Sequence, residues 1–243
     1  MKNSKYRIID FCFVTDFVAN GSFASLKKNV KYLEDDGYAI LVRFTDHVKK
    51  WKSKFKYVSK EAYKFLKHSS LQTGDLIMSN VGEPGQVCLL PNLEKPMTLG
   101  PNSILIRPDS KIATSKYLFY YFQSQKGKDQ IKKIITSTAQ AKFNKTSFRA
   151  LEINLPTLSQ QEEIIYKLDL ANRLSQKHED VFLKIDQLSK SIFFNTFNLN
   201  KESKVKIKDL FDINNNKIKV NLDDDTKVRF IPMSNISAFT KTI

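Results

Sequence analysis

The stretch that decides the fold reads LPTLSQQEEI at residues 155–164, and no glycine or proline interrupts the chain from there to Phe197. Ser159 and Glu162 stand three residues apart, which is the spacing of a capping box, so we expect a helix to begin at Ser159. About 39 helical residues with a rise of 1.5 Å each make a rod roughly 58 Å long. The sequence therefore predicts one long helix.

Apolar residues recur along this helix at spacings of three and four, as in the seam of a coiled coil. The seam consists of Ile164, Leu168, Ala171, Leu174, Val181, Ile185, Leu188 and Ile192. A rod of this length with an apolar stripe favours a second helix as its partner. The alternative is an ordinary amphipathic helix that lies on its own domain.

The chain before the helix alternates short apolar runs with turn residues. We expect strands at residues 39–45, 76–79, 86–90 and 103–107. Four of the seven glycines and five of the seven prolines fall between residues 74 and 108, which indicates several tight reversals. This part of the chain is predicted to be compact and rich in β-structure.

Helical signals flank these strands. Ser59 is a suitable N-cap for a helix over residues 60–68, and residues 115–126 carry an apolar face that we expect to end at Gly127. A third short helix is expected after Lys128. The fold class is therefore α+β, with a compact β-rich unit followed by one long helix.

Positive charge is concentrated in the first part of the chain. The formal net charge is +15; residues 1–150 contain 26 Lys and Arg against 12 Asp and Glu, or +14, and residues 151–243 contain 14 against 13, or +1. Such a field attracts nucleic acid or an anionic membrane surface. The alternative is a charge that serves solubility, since only six of the 40 basic residues are Arg.

Several classes of protein are disfavoured by composition. No apolar run approaches the roughly 20 residues of a membrane span, and Asp10 and Asp16 interrupt the apolar stretch that a signal peptide would need. We therefore predict a cytoplasmic protein. Cys12 and Cys88 are the only cysteines and the three histidines are scattered, so we expect neither a metal site nor a cofactor.

The first candidate for nucleic-acid binding is the segment KKWKSKFKY at residues 49–57, in which cations alternate with aromatic residues. The predicted contacts are Lys49, Lys50, Trp51, Lys52, Lys54 and Lys56. Lysines would bind phosphates, and Trp51 or Phe55 would touch a base or a thymine methyl group. Alternatively, the segment is a strand whose Trp51, Phe55 and Tyr57 face the core. Both interpretations can hold together.

The second candidate precedes the last strand before the long helix. Its predicted contacts are Gln140, Lys142, Asn144, Lys145 and Arg149. Gln and Asn can bond adenine with two hydrogen bonds, and Arg can do the same with guanine. Asn80, in the turn over residues 80–85, is a third candidate. Simple loop polarity and turn geometry are the alternatives for these two segments.

Motifs for catalysis are missing from the sequence. It has no Asn/Asp-Pro-Pro-aromatic element, no Gly-rich cofactor loop and no P-loop, and its one Glu-x-Lys lies at Glu202 in a lysine-rich stretch. We therefore predict a protein without a catalytic centre.

After residue 200 the chain resembles its own beginning. Residues 204–213 mirror residues 5–14, and residues 233–235 echo residues 44–46. The repeat is weak, and chance is the alternative. We interpret residues 201–243 as the incomplete start of a second unit.

Four segments resemble the DNA-specificity subunit of type I restriction-modification systems. They are residues 7–10 with 43–46, residues 71–85, residues 137–144, and residues 155–164 with the helix that follows. The last segment is the most specific, because it is similar to the family's Pro-x-Leu-x-x-Gln start of a conserved coiled-coil helix.

The resemblance implies a target-recognition domain over residues 1–155, a helical spacer over residues 156–200 and an incomplete second recognition domain over residues 201–243. It further implies sequence-specific binding of duplex DNA, with methyltransferase subunits and an ATP-dependent restriction subunit as partners. The chain would be a half-subunit or a truncated product, and a homodimer through the long helix would complete it. The alternatives are a standalone DNA- or RNA-binding protein and a scaffold whose function is the helix.

Overall fold

The computed structural model describes residues 4–52, 54–136 and 139–197. Within the described residues, the chain divides after Asp180 into two units. The predicted repeat and the predicted second recognition domain, residues 201–243, lie outside the described residues. The predicted domain boundaries therefore stay a prediction.

The described residues contain ten strands and eight α-helices. The strands are β1 Ser4–Arg7, β2 Cys12–Asp16, β3 Ala39–Val42, β4 Lys56–Val58, β5 Ser70–Leu71, β6 Leu76–Ser79, β7 Val87–Leu89, β8 Met97–Leu99, β9 Ser103–Pro108 and β10 Glu152–Leu155. The α-helices are α1 Ile8–Phe11, α2 Phe23–Asn29, α3 Phe44–Val48, α4 Lys60–Phe65, α5 Ser115–Gln123, α6 Gln125–Lys132, α7 Lys145–Arg149 and α8 Leu158–Phe197. Two 3-10 helices lie at Phe17–Asn20 and Lys67–Ser69.

The strands form three sheets. One has the order β2-β9-β6-β7 with antiparallel neighbours, and a second has the order β4-β3-β8-β5, in which β3 and β8 run parallel. The third pairs β1 with β10, so it joins the beginning of the first unit to the segment that leads into α8.

Strand β6 explains why the first sheet is apolar on both faces. Successive residues of a strand point to opposite faces. Leu76 and Met78 pack in the cluster that holds α5 and α7, whereas Ile77 packs with Cys88 and Leu105 against residues of β3 and β8. The sheet is therefore the middle layer of the unit, and the predicted α+β class with a long helix after a β-rich domain is confirmed.

The predicted strand over residues 39–45 is wrong at its end, because β3 stops at Val42. Arg43 is the N-cap of α3 and forms a capping box that was not predicted. Its backbone N–H donates to Asp46 Oδ2 over 2.9 Å, and its Nη2 pairs with Asp46 Oδ1 at 2.6 Å. Arg7 and Asp10 make the same arrangement ahead of α1.

The predicted helix over residues 115–126 is two helices. Ser124 has an extended backbone that ends α5, and its hydroxyl accepts from Gly127 N over 3.2 Å to cap α6. A Cβ on Gly127 would stand 2.1 Å from the backbone oxygen of Tyr121. Gly127 lies within α6, and its missing side chain allows α6 to pack closely against the end of α5. The prediction that Gly127 ends a helix is therefore wrong.

The capping box of α8 stands two residues before the predicted one. Thr157 N donates to Gln160 Oε1 over 3.1 Å, and Gln160 N donates back to Thr157 Oγ1 over 3.4 Å, so α8 begins at Leu158 instead of Ser159. The eight seam residues are all exposed. Their pairing with a second helix stays a prediction. Every helix among the described residues is too short or too polar to cross a membrane.

Candidate nucleic-acid interface

Two segments that are about 60 residues apart in sequence lie side by side. Val81 forms an isolated antiparallel bridge with Lys142, and Gly82 N donates to the backbone oxygen of Ala141 over 3.0 Å. The turn over residues 80–85 and the loop over residues 139–142 are thus one surface. Two of the three predicted binding segments therefore meet.

Two grooves flank this surface, and they share three residues. The α2 groove has a volume of about 510 Å³ and is lined by Asp16, Phe17, Val18, Phe23, Leu26, Lys27, Val30, Tyr32, Asn80, Val81, Pro101, Asn102 and Ser103. The α3 groove has a volume of about 320 Å³ and is lined by Arg43, Phe44, Thr45, Val48, Ser79, Val81, Glu83, Gln86, Pro101 and Asn102. We call the shared residues Val81, Pro101 and Asn102 the ridge, and the ridge, the two grooves and residues 139–142 together the loop face.

Exposed lysines stand at several positions on or beside the loop face. Lys27 lines the α2 groove, Lys142 bridges to the ridge, and Lys49 and Lys50 directly follow Val48, a residue that lines the α3 groove. These four side chains have no acidic partner in the part of the chain that the structure describes. Their charges are therefore available to a ligand.

Two further cations of the first candidate segment are paired with an acidic loop. Lys54 pairs with Asp35, and Lys56 pairs with Glu34. An exposed ion pair of this kind contributes little stability, but each carboxylate cancels the charge of a predicted phosphate contact. Lys49, Lys50 and Lys52 are the exposed cations of this segment that lack such a pair among the described residues.

The aromatic residues of the same segment face the core. Trp51, Phe55 and Tyr57 are partly buried against the cluster that contains Ile77 and Leu105. The segment is nevertheless not one strand, because Lys50 and Trp51 have φ of 54° and 59° and β4 begins only at Lys56. The contact of Trp51 with a base stays a prediction.

Three residues of the second candidate segment hold α7 in place. Asn144 caps α7 by accepting from Ser147 N over 2.8 Å, and Lys145 Nζ pairs with Asp16 Oδ1 at 2.7 Å. Arg149 donates to the backbone oxygen of Val14. Gln140 and Lys142 are exposed.

Asn80 also has a partner within the chain. Its Nδ2 donates to the backbone oxygen of Phe143 over 3.3 Å, and its own backbone oxygen accepts from Phe143 N over 3.1 Å. Asn80 therefore ties the turn over residues 80–85 to the loop that follows Lys142. The predicted contacts of Asn80, Asn144, Lys145 and Arg149 with DNA stay predictions.

Two residues of the loop face, Lys27 and Asn102, were not among the predicted contacts. Asn102 has φ of 65° at an exposed turn just before β9, and Lys27 reaches the surface from α2. A Pro-Asn pair ahead of an apolar run is a turn signal, so Asn102 was detectable as a turn residue. Its position beside Val81 was not, because it depends on tertiary packing.

A second polar site fixes the start of α8. Gln161 is fully buried; its Oε1 accepts from Thr114 N over 3.1 Å, and its Nε2 donates to the backbone oxygens of Ile112 and Pro156 over 2.9 and 3.0 Å. Three backbone groups thus find their partner in one side chain. We call Gln161 and these groups, with the contacts of Asp169 described next, the helix root.

Asp169 extends this attachment by two further turns. Lys116 Nζ pairs with Asp169 Oδ2 at 2.6 Å, and the Tyr120 hydroxyl donates to Oδ1 over 2.6 Å. The hydrogen bonds from Lys116 and Tyr120 lower the pKa of Asp169, and burial together with the bond to Asp169 raises the pKa of Tyr120. Asn172 Nδ2 donates to the Tyr120 oxygen over 3.0 Å.

A family model described as the type I restriction modification DNA specificity domain matches residues 13–180. The chain belongs to this family. The resemblance drawn from the sequence is thereby confirmed. The structure also explains the motif at residues 155–164. Gln161 is the glutamine of Pro-x-Leu-x-x-Gln, and its three hydrogen bonds to backbone groups fix the helix root.

Solved structures share the fold. A chain from a structure on complex assembly and conformational transition of the type I R-M system is 14% identical with a TM-score of 0.55, over 78% of this chain and 44% of that chain. The HsdS subunit from Thermoanaerobacter tengcongensis is 13% identical with a TM-score of 0.53, over 84% and 51%. The S subunit from M. genitalium is 13% identical with a TM-score of 0.50, over 83% and 47%. The chain thus spans about half the length of these proteins, and no curated protein matches its sequence.

Proposed function

We propose that the chain binds duplex DNA in a sequence-specific manner through the loop face, as a specificity subunit or half-subunit of a type I restriction-modification complex. The observation that carries the proposal is the arrangement of the loop face. Its ridge separates the α2 groove, which Lys27 lines, from the α3 groove, whose lining residue Val48 is followed directly in the chain by Lys49 and Lys50. Membership of the specificity-domain family supports the same conclusion.

The lysines supply affinity and position. Each neutralised phosphate releases condensed counterions, so Lys27, Lys49, Lys50 and Lys142 would make binding depend on salt. Contacts to phosphate place a protein on the duplex but carry no sequence information. Trp51 contributes indirectly in this proposal, because its packing on the core anchors the turn that carries Lys49 and Lys50.

The ridge and its neighbour Gln140 supply specificity. Gln140 and Asn102 are exposed amides that can bond adenine in the major groove, and Val81 and Pro101 can touch a thymine methyl group. Glu83, which lines the α3 groove, can accept from the amino group of cytosine. A central strip of base contacts with cations on both sides suits a duplex groove.

In this proposal, α8 positions the loop face relative to other proteins. We propose that the exposed seam residues Ile164 to Ile192 pair with a second helix, which for a half-subunit is the helix of a second copy. Sizing by light scattering at micromolar concentration tests this, because pairing predicts a dimer. A Leu188→Lys variant, which places a charge in the seam, should then be a monomer. A monomeric wild-type chain would defeat the pairing.

The chemistry belongs to partners in this proposal. We assign methylation of adenine to methyltransferase subunits and ATP-dependent cleavage to a restriction subunit, and this chain directs both to their site. The described residues form no group of three or more His, Cys, Asp or Glu that could hold a metal ion.

Selection from a pool of random duplexes tests the proposed function. The full chain is incubated with the pool at about 0.15 M salt, and bound duplexes are sequenced over several rounds. We expect enrichment of one short motif, with single-stranded RNA as a poor competitor. A preference for RNA or single strands, or a pool that stays random, would overturn the proposal.

A further inference from the structure

Two residues beside the α2 groove carry buried polar atoms that have no partner among the described residues. Asn80 Oδ1 and Ser103 Oγ are buried and accept or donate no hydrogen bond within the described part of the chain. Both residues line the α2 groove. Buried polar atoms are nearly always paired in folded proteins, so two such atoms at one groove indicate a place for a hydrogen-bonding ligand.

The walls of the α2 groove suit a flat ring. Phe23 lines it with 82% of its surface exposed, and Tyr32 lines it with 48% exposed. A phenylalanine that is this exposed gains little from the fold itself. Exposed aromatic rings provide a stacking platform, and every nucleobase has a π-face that can use it. Val18 and Val81 complete an apolar lining.

The charges of the α2 groove define which edge of the ring it would bind. Asp16 lines the groove; its Oδ1 pairs with Lys145, while Oδ2 has no partner among the described residues. Asp16 Oδ2 and Asn80 Oδ1 both accept hydrogen bonds, so they favour a ligand edge that carries N–H donors. Lys27 lines the same groove without an acidic partner in the described chain, and it suits a phosphate.

We propose that the α2 groove binds a single nucleobase with its phosphate, and that guanine fits best because its N1–H and N2–H₂ groups form an adjacent pair of donors. The groove volume of about 510 Å³ lies within the range of small-molecule sites, roughly 300 to 1,000 Å³. The nucleobase has two sources, a base turned out of bound DNA or a free nucleotide. The first source rests on the proposed function, and the second does not.

Titration with mononucleotides tests the free source. The full chain is titrated with guanosine, adenosine and cytidine 5′-monophosphates in a calorimeter. We expect guanosine monophosphate to bind most tightly and Phe23→Ala to weaken it at least about fivefold, as loss of one stacked base predicts. Ser103→Ala, which removes an unpaired hydroxyl, should also weaken it. Phe13→Ala, a phenylalanine with 53% of its surface exposed that does not line the groove, should change nothing.

Fluorescence of 2-aminopurine tests the DNA source. This base keeps the 2-amino group of guanine, which is one of the two proposed donors, but it has no N1–H. Its fluorescence increases when it leaves the base stack. It is placed in turn at each purine of a duplex that the chain has selected. We expect one position to brighten on binding, and the increase to vanish in Phe23→Ala and persist in Phe13→Ala.

The two arms separate the outcomes. Binding of mononucleotide without a brightened position assigns the α2 groove to free nucleotides, and a brightened position assigns it to DNA. Absence of both overturns the inference, and salt-dependent binding of the selected duplex would then still leave the proposed function standing. If the chain binds no duplex, the proposed function fails, and the mononucleotide arm alone decides the inference.

Discussion

The helix root and the loop face both present polar side chains, yet these side chains differ in what they contact. At the root, Gln161 is fully buried and satisfies three backbone groups, and Asp169 accepts from both Lys116 and Tyr120. On the loop face, Gln140 and Lys142 are exposed and have no side-chain partner among the described residues. The same residue types therefore serve the fold in one place and are free for a ligand in the other.

This difference separates residues that sequence alone groups together. Lys142 and Lys145 are three positions apart and were predicted for one role, but only Lys145 is held by an acid of its own domain. A polar residue whose hydrogen-bonding capacity is used inside the protein should affect stability when changed. One whose capacity is unused should affect binding.

The largest effect is expected at the helix root. Gln161→Ala leaves Thr114 N and the backbone oxygens of Ile112 and Pro156 without their partner, and each buried unpaired group costs about 1 to 3 kcal/mol. We expect a loss of about 3 kcal/mol or more in the free energy of unfolding, measured by chemical denaturation. Gln176→Ala, on an exposed part of α8, is the matched control and should cost under about 0.5 kcal/mol. Equal midpoints for the two variants would break the comparison.

An intermediate effect should separate the two lysines. Lys145→Ala leaves the largely buried Asp16 without its ion pair, so we expect a loss of about 2 kcal/mol in the free energy of unfolding. Lys142→Ala should change it by less than about 0.5 kcal/mol, because its exposed side chain has no partner to lose. Thermal or denaturant unfolding of both variants checks this. A larger loss for Lys142→Ala would contradict the assignment of the two residues.

The smallest effect depends on pH. Tyr120→Phe removes the hydroxyl that donates to Asp169, at a cost of about 1 kcal/mol near neutral pH. The pKa of Asp169 is lowered in the folded chain, so ionised Asp169 adds to the free energy of unfolding above the unfolded pKa of about 3.9. This stabilisation is lost as pH falls through the folded pKa. The gap between wild type and variant should therefore narrow below about pH 4 in unfolding curves. A gap that widens with acid would have the wrong sign.

Local signals in the sequence were sufficient for much of the fold. Strand β6 was predicted at its observed bounds, and Ser59 caps α4 as expected by accepting from Ala62 N over 3.2 Å. Capping boxes were predicted less accurately, because several candidate pairs lie within a few residues of each other. The capping box of α8 is formed by Thr157 and Gln160 and not by Ser159 and Glu162. Arg43 and Asp46 ended a strand that apolar composition would have continued.

The candidate site was less accessible to sequence reasoning. The loop over residues 139–142 meets the turn over residues 80–85 through a bridge between Val81 and Lys142, and no local pattern encodes a contact across that separation. Ion pairs with the acidic loop were missed for the same reason, since Lys56 and Glu34 are 22 residues apart. Residue type showed which side chains can bind nucleic acid, and tertiary contacts showed which of them remain unpaired.

The most direct test is the salt dependence of duplex binding for wild type, Lys142→Ala and Lys145→Ala. If Lys27, Lys49, Lys50 and Lys142 each contact a phosphate, log K should fall with log salt at a slope of about −3.6. The slope should be shallower by about 0.9 in Lys142→Ala and unchanged in Lys145→Ala. A flat slope in wild type, or a change in Lys145→Ala with none in Lys142→Ala, would contradict the account of the loop face.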